Sequence, residues 1–408
     1  MLKVGLFTDT YFPQVNGVAT STATLKRNLE KLGHDVYVFT TTNPMAQKEE
    51  AHIYRVPSVP VVSEHRLAMF YKGHLAAEIE SLNLDIIHTH TEFSLGIFGR
   101  LIAKKLKLPL IHTYHTIYED YTHYLIKSKK FDFLSKDIVR KLSKSFCNTA
   151  DKLIVPTGKV KYLLQSYGVV KEMSVIPTGV AVHKFAAWNG CSSQNQAQRN
   201  RLGISENTKV ILYIGRISKE KNIETLFVYL QSYVKEKTDV KFVLVGNGPE
   251  KNNLEALAKQ LDMTAHVLFV GGVPWDSVRN YYWIGDVFVS ASQSETQGLT
   301  YIEALASGLP VVAKADACLE GVVENHVNGY TFEHKEGFLR ALDAILDDRK
   351  HQETLSMGAV HSAQKFSEVT FSENVERLYL ETLSMKQTRK GEGAVHESKV
   401  VFRERRGN

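Results

Sequence analysis

The sequence has few cysteines and no long apolar segment. Cys147, Cys191 and Cys318 are widely spaced and form no Cys-x-x-Cys pair, which argues against a disulfide framework or a zinc site and favours a reducing compartment. A membrane-spanning helix needs about eighteen or more apolar residues in a row, and no such run occurs. The first residues enter an apolar strand pattern without the layout of a signal peptide. We therefore expect a soluble or peripheral protein of the cytoplasm.

Two common site motifs are also missing. The glycine-bearing loop after the first apolar run, with Gly17, does not have the form Gly-x-Gly-x-x-Gly, so a plain dinucleotide site is disfavoured. No Asp-x-Asp pattern is present, so the sequence implies no bound metal and no cofactor. We expect no nucleic acid among its partners, and the oligomeric state is left open.

Length and charge suggest two domains with different surfaces. The 408 residues, 43% of them apolar and 10% aromatic, can form two ordinary cores. Residues 1–176 hold 23 Lys and Arg against 16 Asp and Glu, whereas the other 232 residues hold 27 against 28. The positive excess of the first half is explained either by solvated surface or by an anionic lipid or polyanionic partner.

Short apolar, β-branched runs alternate with helical patterns along the chain. The runs that predict strands are 2–7, 36–40, 85–90, 110–114, 153–156, 209–215, 241–246, 267–271, 286–291 and 311–313. Helical patterns include 18–32, 65–82, 94–107 and 157–167, while the polar stretch 188–200 predicts a flexible surface loop and 328–332 a hairpin-like turn. This alternation predicts an α/β protein with doubly wound parallel sheets.

The stretch 289–313 carries the main candidate site. It predicts a strand, a polar loop with Glu295, a helix beginning near Gly298 and Leu299 and carrying Glu303, and a second strand. Ligands bind at the carboxyl ends of strands in open α/β sheets, and free amides at a helix N-terminus suit a phosphate. By spacing alone, two glutamates on a solvated helix are the better explanation of the pair.

A second loop, after the predicted strand 209–215, offers cations for the same anion. Arg216 and Lys221 follow Gly215 and precede a helix, and a forked cation with a point charge suits a diphosphate. Basic residues in loops are usually just solvated. Gly248, in Asn-Gly-Pro-Glu, follows the next strand.

Histidines cluster at predicted strand ends in the first half. His88, His90, His112 and His115 suggest a metal site, but no further ligand pattern follows, and a neutral donor beside a polar substrate is an alternative role. For His88, His90 and His112 we expect satisfied structural roles.

Residues 122–146 form a basic amphipathic segment. Phe131, Leu134, Ile138 and Leu142 recur at helical spacing, opposite a row of cations. The pattern fits a helix lying in a lipid interface, and it fits equally a surface helix whose apolar stripe faces the core.

Four motifs together resemble the retaining nucleotide-sugar glycosyltransferases of GT-B family 4, and in particular the 1,2-diacylglycerol 3-alpha-glucosyltransferases of Gram-positive bacteria. They are residues 7–20, 88–96, 114–121 and 294–301, with the Glu-x7-Glu pair before Ala-Ser-Gly-Leu-Pro. Thr296-Gln297 departs from the broad family's Gly-Phe, as in the lipid-acceptor subgroup. The resemblance spans about residues 2–384 and implies two Rossmann-like domains facing a cleft.

The resemblance implies roles for specific residues. Transfer of glucose from UDP-glucose to the 3-hydroxyl of diacylglycerol would give a membrane glycolipid, a possible anchor for lipoteichoic acid, at the inner face of the cell membrane. The residues implied in catalysis are His115, Glu295, Arg216 and Lys221. Those implied in donor binding are Gly17, Gly215, Arg216, Lys221, Gly248, Glu295, Gly298, Leu299 and Glu303. Those expected at the acceptor and anionic lipid side are Tyr11, Lys129, Lys130, Phe131, Lys136 and Arg140.

Three alternative functions are also compatible with the sequence. The same chemistry on a soluble or polysaccharide-precursor acceptor, a nucleotide-sugar epimerase, and a non-catalytic binding protein remain open. We expect an acceptor domain over 1–176, a donor domain over 177–365, a helix over 366–384 that crosses back to the first domain, and a disordered basic tail over 385–408.

Overall fold

The computed structural model describes most of the chain. The backbone is described for residues 1–14, 16–46, 51–62, 65–69, 73–121, 129–186 and 192–404, and the side chains of these residues are described except at 62, 65, 73–74, 120–121, 129–136, 192, 387 and 389–404. The described residues divide into two compact units, one within 1–121, 129–179 and 368–404, and the other within 180–367.

The first unit is built on a seven-stranded parallel sheet. Its strands, with a separate antiparallel hairpin formed by β4 and β5, are β1 (Lys3–Phe7), β2 (Asp35–Thr41), β3 (Ile53–Val56), β4 (Ser58–Val62), β5 (His65–Ala68), β6 (Ile86–Thr89), β7 (Leu110–Thr113), β8 (Lys152–Val155) and β9 (Met173–Val175). The order β3-β2-β1-β6-β7-β8-β9 has neighbours in parallel register throughout. Parallel strands need crossovers, and helices supply them.

Helices cover both faces of this sheet. They are α1 (Gly17–Lys31), α2 (Gly73–Ser81), α3 (Ser94–Leu106), α4 (Lys129–Cys147) and α5 (Gly158–Ser166). The start of α1 is set by Asn16, whose side-chain oxygen accepts a hydrogen bond from the Ala19 amide at 2.9 Å. The buried residues Leu25 and Leu29 then bind α1 to the sheet.

The second unit repeats the plan with a six-stranded parallel sheet. Its strands are β10 (Lys209–Ile214), β11 (Val240–Val245), β12 (Val267–Gly271), β13 (Val287–Ser290), β14 (Val311–Lys314) and β15 (Gly329–Phe332), in the order β12-β11-β10-β13-β14-β15. Its helices are α6 (Val182–Phe185), α7 (Ser192–Arg201), α8 (Ile223–Glu236), α9 (Lys251–Gln260), α10 (Trp275–Tyr282), α11 (Leu299–Ala306), α12 (Lys335–Leu346) and α13 (Arg349–Ala363). The predicted class, two doubly wound parallel sheets, is confirmed.

The last helix, α14 (Glu368–Glu404), groups with the first unit. It contacts α1 through an ion pair between Arg27 and Glu368, and Tyr379 reaches the His88 ring at 2.6 Å. The helix continues to Glu404, where we expected a disordered tail from residue 385. Residues 385–404 contain no proline, and the two glycines among them, Gly391 and Gly393, weaken a helix without ending it.

Three local predictions were wrong. Residues 65–68 form a strand rather than the start of a helix, because they pair with Ser58–Val62. Within 188–200, the described part belongs to α7, which Arg199 fixes by donating to the Ile284 carbonyl at 2.8 Å. Residues 329–332 are an edge strand parallel to β14 rather than a hairpin-like turn. In each case tertiary contacts outweigh a local preference.

Candidate active site

A lysine and a glutamate form an ion pair at the carboxyl edge of the second sheet. Lys221 lies in the short turn after β10 and Glu295 in the loop after β13, and these two strands are neighbours in the sheet. The Lys221 Nζ is 2.6 Å from Glu295 Oε1, and each side chain is 17% exposed. Because both groups are partly shielded from water, their charges act more strongly than on an open surface.

The loop that carries Glu295 ends in a glycine with a positive φ. Gly298 precedes α11 with φ of +72°, and a Cβ placed on it would lie 2.4 Å from the Tyr301 ring. Tyr301 is fully buried and donates to Ser290 Oγ at 2.9 Å, so its ring has no room to move aside. The steric demand of Tyr301 and the positive φ both explain why glycine occupies this position. Leu299 is the first residue of α11, so its amide lies at the helix N-terminus, as predicted.

Glu303 lies one turn further along α11 in a poorly solvated position. The Tyr282 hydroxyl donates a hydrogen bond of 2.7 Å to its Oε2. Burial raises the pKa of Glu303 to about 7, and the hydrogen bond from Tyr282 opposes that rise. This carboxyl therefore changes its protonation near neutral pH, which an exposed glutamate would not do.

The other two predicted loops pack directly on each other. A Cβ on Gly248 would lie 2.1 Å from the Ile217 carbonyl oxygen, and the Ile217 amide donates to the Asn247 carbonyl at 2.9 Å. Gly248 is thus required for contact between the loops after β10 and β11. Arg216 lies in the first of these loops with an exposed side chain, and its carbonyl accepts from the buried Tyr213 hydroxyl at 3.0 Å. Gly215 joins β10 to Arg216.

In the first unit, a buried aspartate that the sequence analysis missed connects two strand ends. Asp9 follows β1 and accepts hydrogen bonds from Thr91 Oγ1 at 2.6 Å, from the Leu95 amide at 3.0 Å and from Ser94 Oγ. Burial raises the pKa of Asp9, and these hydrogen bonds lower it by less. The carboxylate therefore ties the end of β1 to the N-terminus of α3. Its position directly after the first strand was the available signal.

The rings of His88, His90 and His115 lie next to one another, close to the loop that carries Asp9. The rings of His88 and His90 have centroids 4.1 Å apart, and those of His90 and His115 lie 5.4 Å apart. His90 Nδ1 is 3.1 Å from His115 Nε2. Burial lowers the pKa of His115 to about 3, with a smaller contribution from His112, and it lowers the pKa of His90 well below its ordinary value. These rings are therefore neutral at physiological pH.

The hydrogen-bond network indicates which nitrogen of His115 carries the proton. His90 is 1% exposed, and its Nε2 has no hydrogen-bond partner among the described residues. A buried N–H without a partner costs more free energy than a bare lone pair, so we assign the proton of His90 to Nδ1, which donates to His115 Nε2. Neutral His115 then carries its own proton on Nδ1.

Two of the other histidines have the satisfied structural roles that we expected. His88 contacts the Tyr379 hydroxyl at 2.6 Å and Thr113 Oγ1 at 2.7 Å. His112 contacts Thr89 Oγ1 at 2.9 Å and Glu92 at 3.1 Å. For His90 the expectation was wrong, since one of its ring nitrogens is unpartnered in the described structure.

Comparison with known proteins places this geometry in a family. The model of "Glycosyltransferase Family 4" matches residues 15–184, and that of "Glycosyl transferases group 1" matches residues 194–360. The chain is 42% identical to the alpha-monoglucosyldiacylglycerol synthase of Streptococcus pneumoniae, over 94% of this chain and 86% of that protein. It is 33% identical to the enzyme of the same name from Acholeplasma laidlawii, over 94% and 98%.

The chain belongs to the family 4 glycosyltransferases. Solved structures agree on its GT-B fold. The structure of Anabaena HepE in complex with UDP has a TM-score of 0.73 and 18% identity, and covers 93% of this chain and 99% of that one. Sucrose-phosphate synthase from Thermosynechococcus elongatus has a TM-score of 0.74 and 21% identity, with 94% and 100% covered.

Gly17 and Tyr11 lie on the first unit of this glycosyltransferase. Gly17 is the first residue of α1 and exposed, and a Cβ on it would meet no atom within 4 Å. This side of the loop therefore has room for a ligand. Tyr11 is 7% exposed and belongs to the core beside α1, so most of its side chain is closed to an acceptor.

The basic segment of the glycosyltransferase is only partly described. The backbone of Lys129, Lys130, Phe131 and Lys136 belongs to α4, while their side chains lie outside the described residues. Arg140 is described, and its Nε is 2.6 Å from Glu119 Oε1, so this cation is already paired.

The described part of α4 also shows which face it buries. Ile138 and Leu142, two members of the predicted apolar stripe, are 49% and 65% exposed. The residues that contact the core are instead Phe146 and Cys147. The stripe therefore does not face the core at these two positions.

The described residues contain no group of three or more His, Cys, Asp or Glu side chains that could hold a metal ion. No helix within them is long and apolar enough to cross a membrane.

Proposed function

We propose that this glycosyltransferase transfers glucose from UDP-glucose to the 3-hydroxyl of 1,2-diacylglycerol with retention of the α configuration. The observation that carries the proposal is the 42% identity to an alpha-monoglucosyldiacylglycerol synthase along 94% of the chain. UDP as the nucleotide follows from the family resemblance, and the HepE structure with UDP is in keeping with it.

The donor diphosphate is proposed to bind at the carboxyl edge of the second sheet. Lys221 supplies a partly shielded ammonium, Arg216 a forked cation, and the N-terminus of α11 free amides behind Gly298. As the bond between the anomeric carbon and the phosphate breaks, negative charge grows on UDP, and fixed cations stabilise that charge more than they stabilise the ground state. Glu303, further along α11, is proposed to accept hydrogen bonds from the ribose hydroxyls.

Glucose itself is proposed to be held by a hydrogen-bond acceptor and a hydrogen-bond donor. Glu295 would accept hydrogen bonds from glucose hydroxyls, and its existing pair with Lys221 keeps the carboxylate oriented. His115 would donate from Nδ1 to a sugar hydroxyl as a neutral group, since its pKa of about 3 leaves it uncharged.

The chemical step is proposed to be a front-face displacement. The diacylglycerol oxygen bonds to the anomeric carbon on the face that the phosphate leaves, and the hydroxyl proton passes to the departing phosphate oxygen. No carboxylate is needed as a covalent nucleophile. The products are α-glucosyl-diacylglycerol and UDP, formed by a protein that we propose acts peripherally at the inner face of the cell membrane.

The test is glucosyl transfer with the purified chain. UDP-glucose and a short-chain diacylglycerol should give UDP and a glycolipid whose anomeric coupling in NMR shows the α form. UDP-galactose, a water-soluble sugar acceptor and a reaction without acceptor serve as controls. Transfer to the soluble acceptor with none to diacylglycerol would reject the lipid acceptor, and no UDP release from any mixture would reject the donor.

A further inference from the structure

A largely buried carboxylate, Glu92, contacts the loop that carries His115. Glu92 lies three residues after β6, and the loop follows β7, which is the adjacent strand of the sheet. The Glu92 side chain is 10% exposed, and no lysine or arginine with a described side chain forms an ion pair with it. A carboxylate so poorly solvated needs strong hydrogen bonds to offset the loss of water. Its partners therefore show what it stabilises.

The first partner of Glu92 is Tyr118, whose hydroxyl donates a hydrogen bond to Glu92 Oε2. Tyr118 opens the 3-10 turn Tyr118–Tyr121 in the loop after β7. Burial raises the pKa of Tyr118 well above its ordinary value, and the charge of Glu92 adds to the rise. The hydroxyl therefore keeps its proton at physiological pH and acts as the donor in this bond.

The second partner of Glu92 is His112, which belongs to β7 and is fully buried. His112 Nε2 is 3.1 Å from Glu92 Oε1, and its Nδ1 is 2.9 Å from Thr89 Oγ1. A carboxylate only accepts hydrogen bonds, so we assign a proton of His112 to Nε2. Each oxygen of Glu92 therefore accepts one hydrogen bond, one from β7 and one from the loop that follows it.

These two partners lie on either side of His115 in the chain. His112 is three residues before it and Tyr118 three residues after it. One carboxylate thus joins the two ends of the short segment that carries the His115 ring. His90 contacts that ring directly, with 3.1 Å between His90 Nδ1 and His115 Nε2. The ring is therefore oriented by His90, while the backbone of its segment is held by Glu92.

We propose that Glu92 is a positioning residue that fixes the backbone around His115 by binding Tyr118 and His112. Both of its carboxylate oxygens are engaged with these residues, so Glu92 acts through His115 rather than by contact with the sugar. The effect on glucosyl transfer rests on the proposed function, in which His115 donates to a sugar hydroxyl. The anchoring of the loop does not rest on it.

Steady-state kinetics of three variants measures the consequence for transfer. Glu92→Ala should lower kcat about tenfold or more, and Tyr118→Phe, which keeps the ring, about fivefold, with KM for UDP-glucose within about twofold of the parent value. Glu92→Gln should recover part of the loss, because an amide can accept from His112 and donate to the Tyr118 oxygen. The matched control is Tyr37→Phe, which removes the hydroxyl of a buried tyrosine in the same core and should leave kcat within about twofold.

A His115→Ala background separates positioning from a general loss of stability. There, Glu92→Ala should lower the remaining kcat by less than about twofold, because the residue that Glu92 positions is absent. A general loss of stability would give the same fold-change in both backgrounds. Equal losses in the two backgrounds, or an unchanged kcat in Glu92→Ala with His115 present, would overturn the proposal. If Glu92→Ala does not fold, Tyr118→Phe serves for the same comparison.

Amide hydrogen exchange measures the anchoring of the loop independently of transfer. In Tyr118→Phe the amides of residues 115–121 should exchange faster than in the parent chain, whereas in Tyr37→Phe they should exchange at the parent rate. Unchanged exchange in Tyr118→Phe would overturn the anchoring role of Glu92. A parent chain that transfers no glucose would reject the proposed function, and faster exchange in Tyr118→Phe would still support the anchor.

Discussion

The two units share one plan but differ in surface and in site chemistry. Among the described residues, the large apolar side chains that are exposed in the second unit are Val228, Val327 and Met357, and all others belong to the first unit. Residues 180–367 hold 19 Lys and Arg against 21 Asp and Glu, so the positive excess lies elsewhere. Two units with the same sheet architecture can therefore differ in the charge and the apolar area of their outer surfaces.

The strand ends differ in the same way. In the second unit the edge of the sheet carries a charged pair, Lys221 and Glu295, and in the first it carries neutral histidines. Charge suits a phosphate donor, and neutral donors suit sugar or lipid hydroxyls.

The largest effect is expected from the ion pair. Lys221→Met or Glu295→Gln should lower kcat/KM by about 100-fold or more, because each removes a group that acts on the transition state. The double variant should lose less than the product of the two single losses, since the partners are in direct contact. Steady-state kinetics measures both.

A matched ion pair of the same unit provides the control. Lys237 caps the C-terminus of α8, and its Nζ is 2.8 Å from Asp343 on α12, outside the site loops. Lys237→Met should leave kcat/KM within about twofold of the parent value. Equal losses at Lys221 and Lys237 would mean that lost stability, rather than lost site charge, explains both.

The loop of the second unit should depend on one steric contact. Gly298→Ala adds both positive-φ strain and a clash with Tyr301, and should reduce the free energy of unfolding by about 2–4 kcal/mol. Gly321→Ala has nearly the same φ, +70°, but open space around its Cβ, and should cost about 1 kcal/mol. Denaturant unfolding measures the free energy of unfolding of both variants. Equal losses would show that the contact with Tyr301 is not the reason for glycine at position 298.

The pH dependence should come from the donor side. If Glu303 binds the ribose hydroxyls as proposed, its ionised form accepts more hydrogen bonds than its protonated form, so KM for UDP-glucose should rise about fivefold from pH 7 to pH 6. Glu303→Gln should have a higher KM without this dependence.

The free energy of unfolding should fall with rising pH because of Glu303, whereas binding of UDP-glucose should improve. Because the pKa is raised above its ordinary value of 4.5, the favourable contribution of Glu303 is complete below pH 4.5 and is lost as the pH rises through 7. In the Gln variant this loss should disappear. If KM for UDP-glucose still changes near pH 7 in the Gln variant, a group other than Glu303 causes the pH dependence.

The smallest effect is expected at His90. His90→Phe removes the hydrogen bond to His115 and should lower kcat about two- to fourfold with KM for UDP-glucose unchanged. His90→Gln, which can still donate, should recover part of the loss. A change in KM alone would contradict a role for His90 in orienting His115.

Much of the fold was predictable because it is local. The strands β12 and β1 begin and end within a residue of the prediction. Short apolar, β-branched runs between turn residues usually form buried strands in an α/β chain. The helix over Ser192–Arg201 was missed because its support comes from distant carbonyls, such as that of Ile284, which no local pattern reveals.

The class, the order of the motifs along the chain and the candidate residues Arg216, Lys221, Glu295, Gly298 and Glu303 were predictable from local patterns, because periodicity and motif spacing are properties of neighbours along the chain. The tertiary structure alone decided that Lys221 pairs with Glu295, that Tyr282 meets Glu303, that Asp9 binds α3, and that Ile97 and Leu142 face outward. These facts depend on which strands become neighbours and which helix side meets the core, and both follow from long-range packing rather than from local preference.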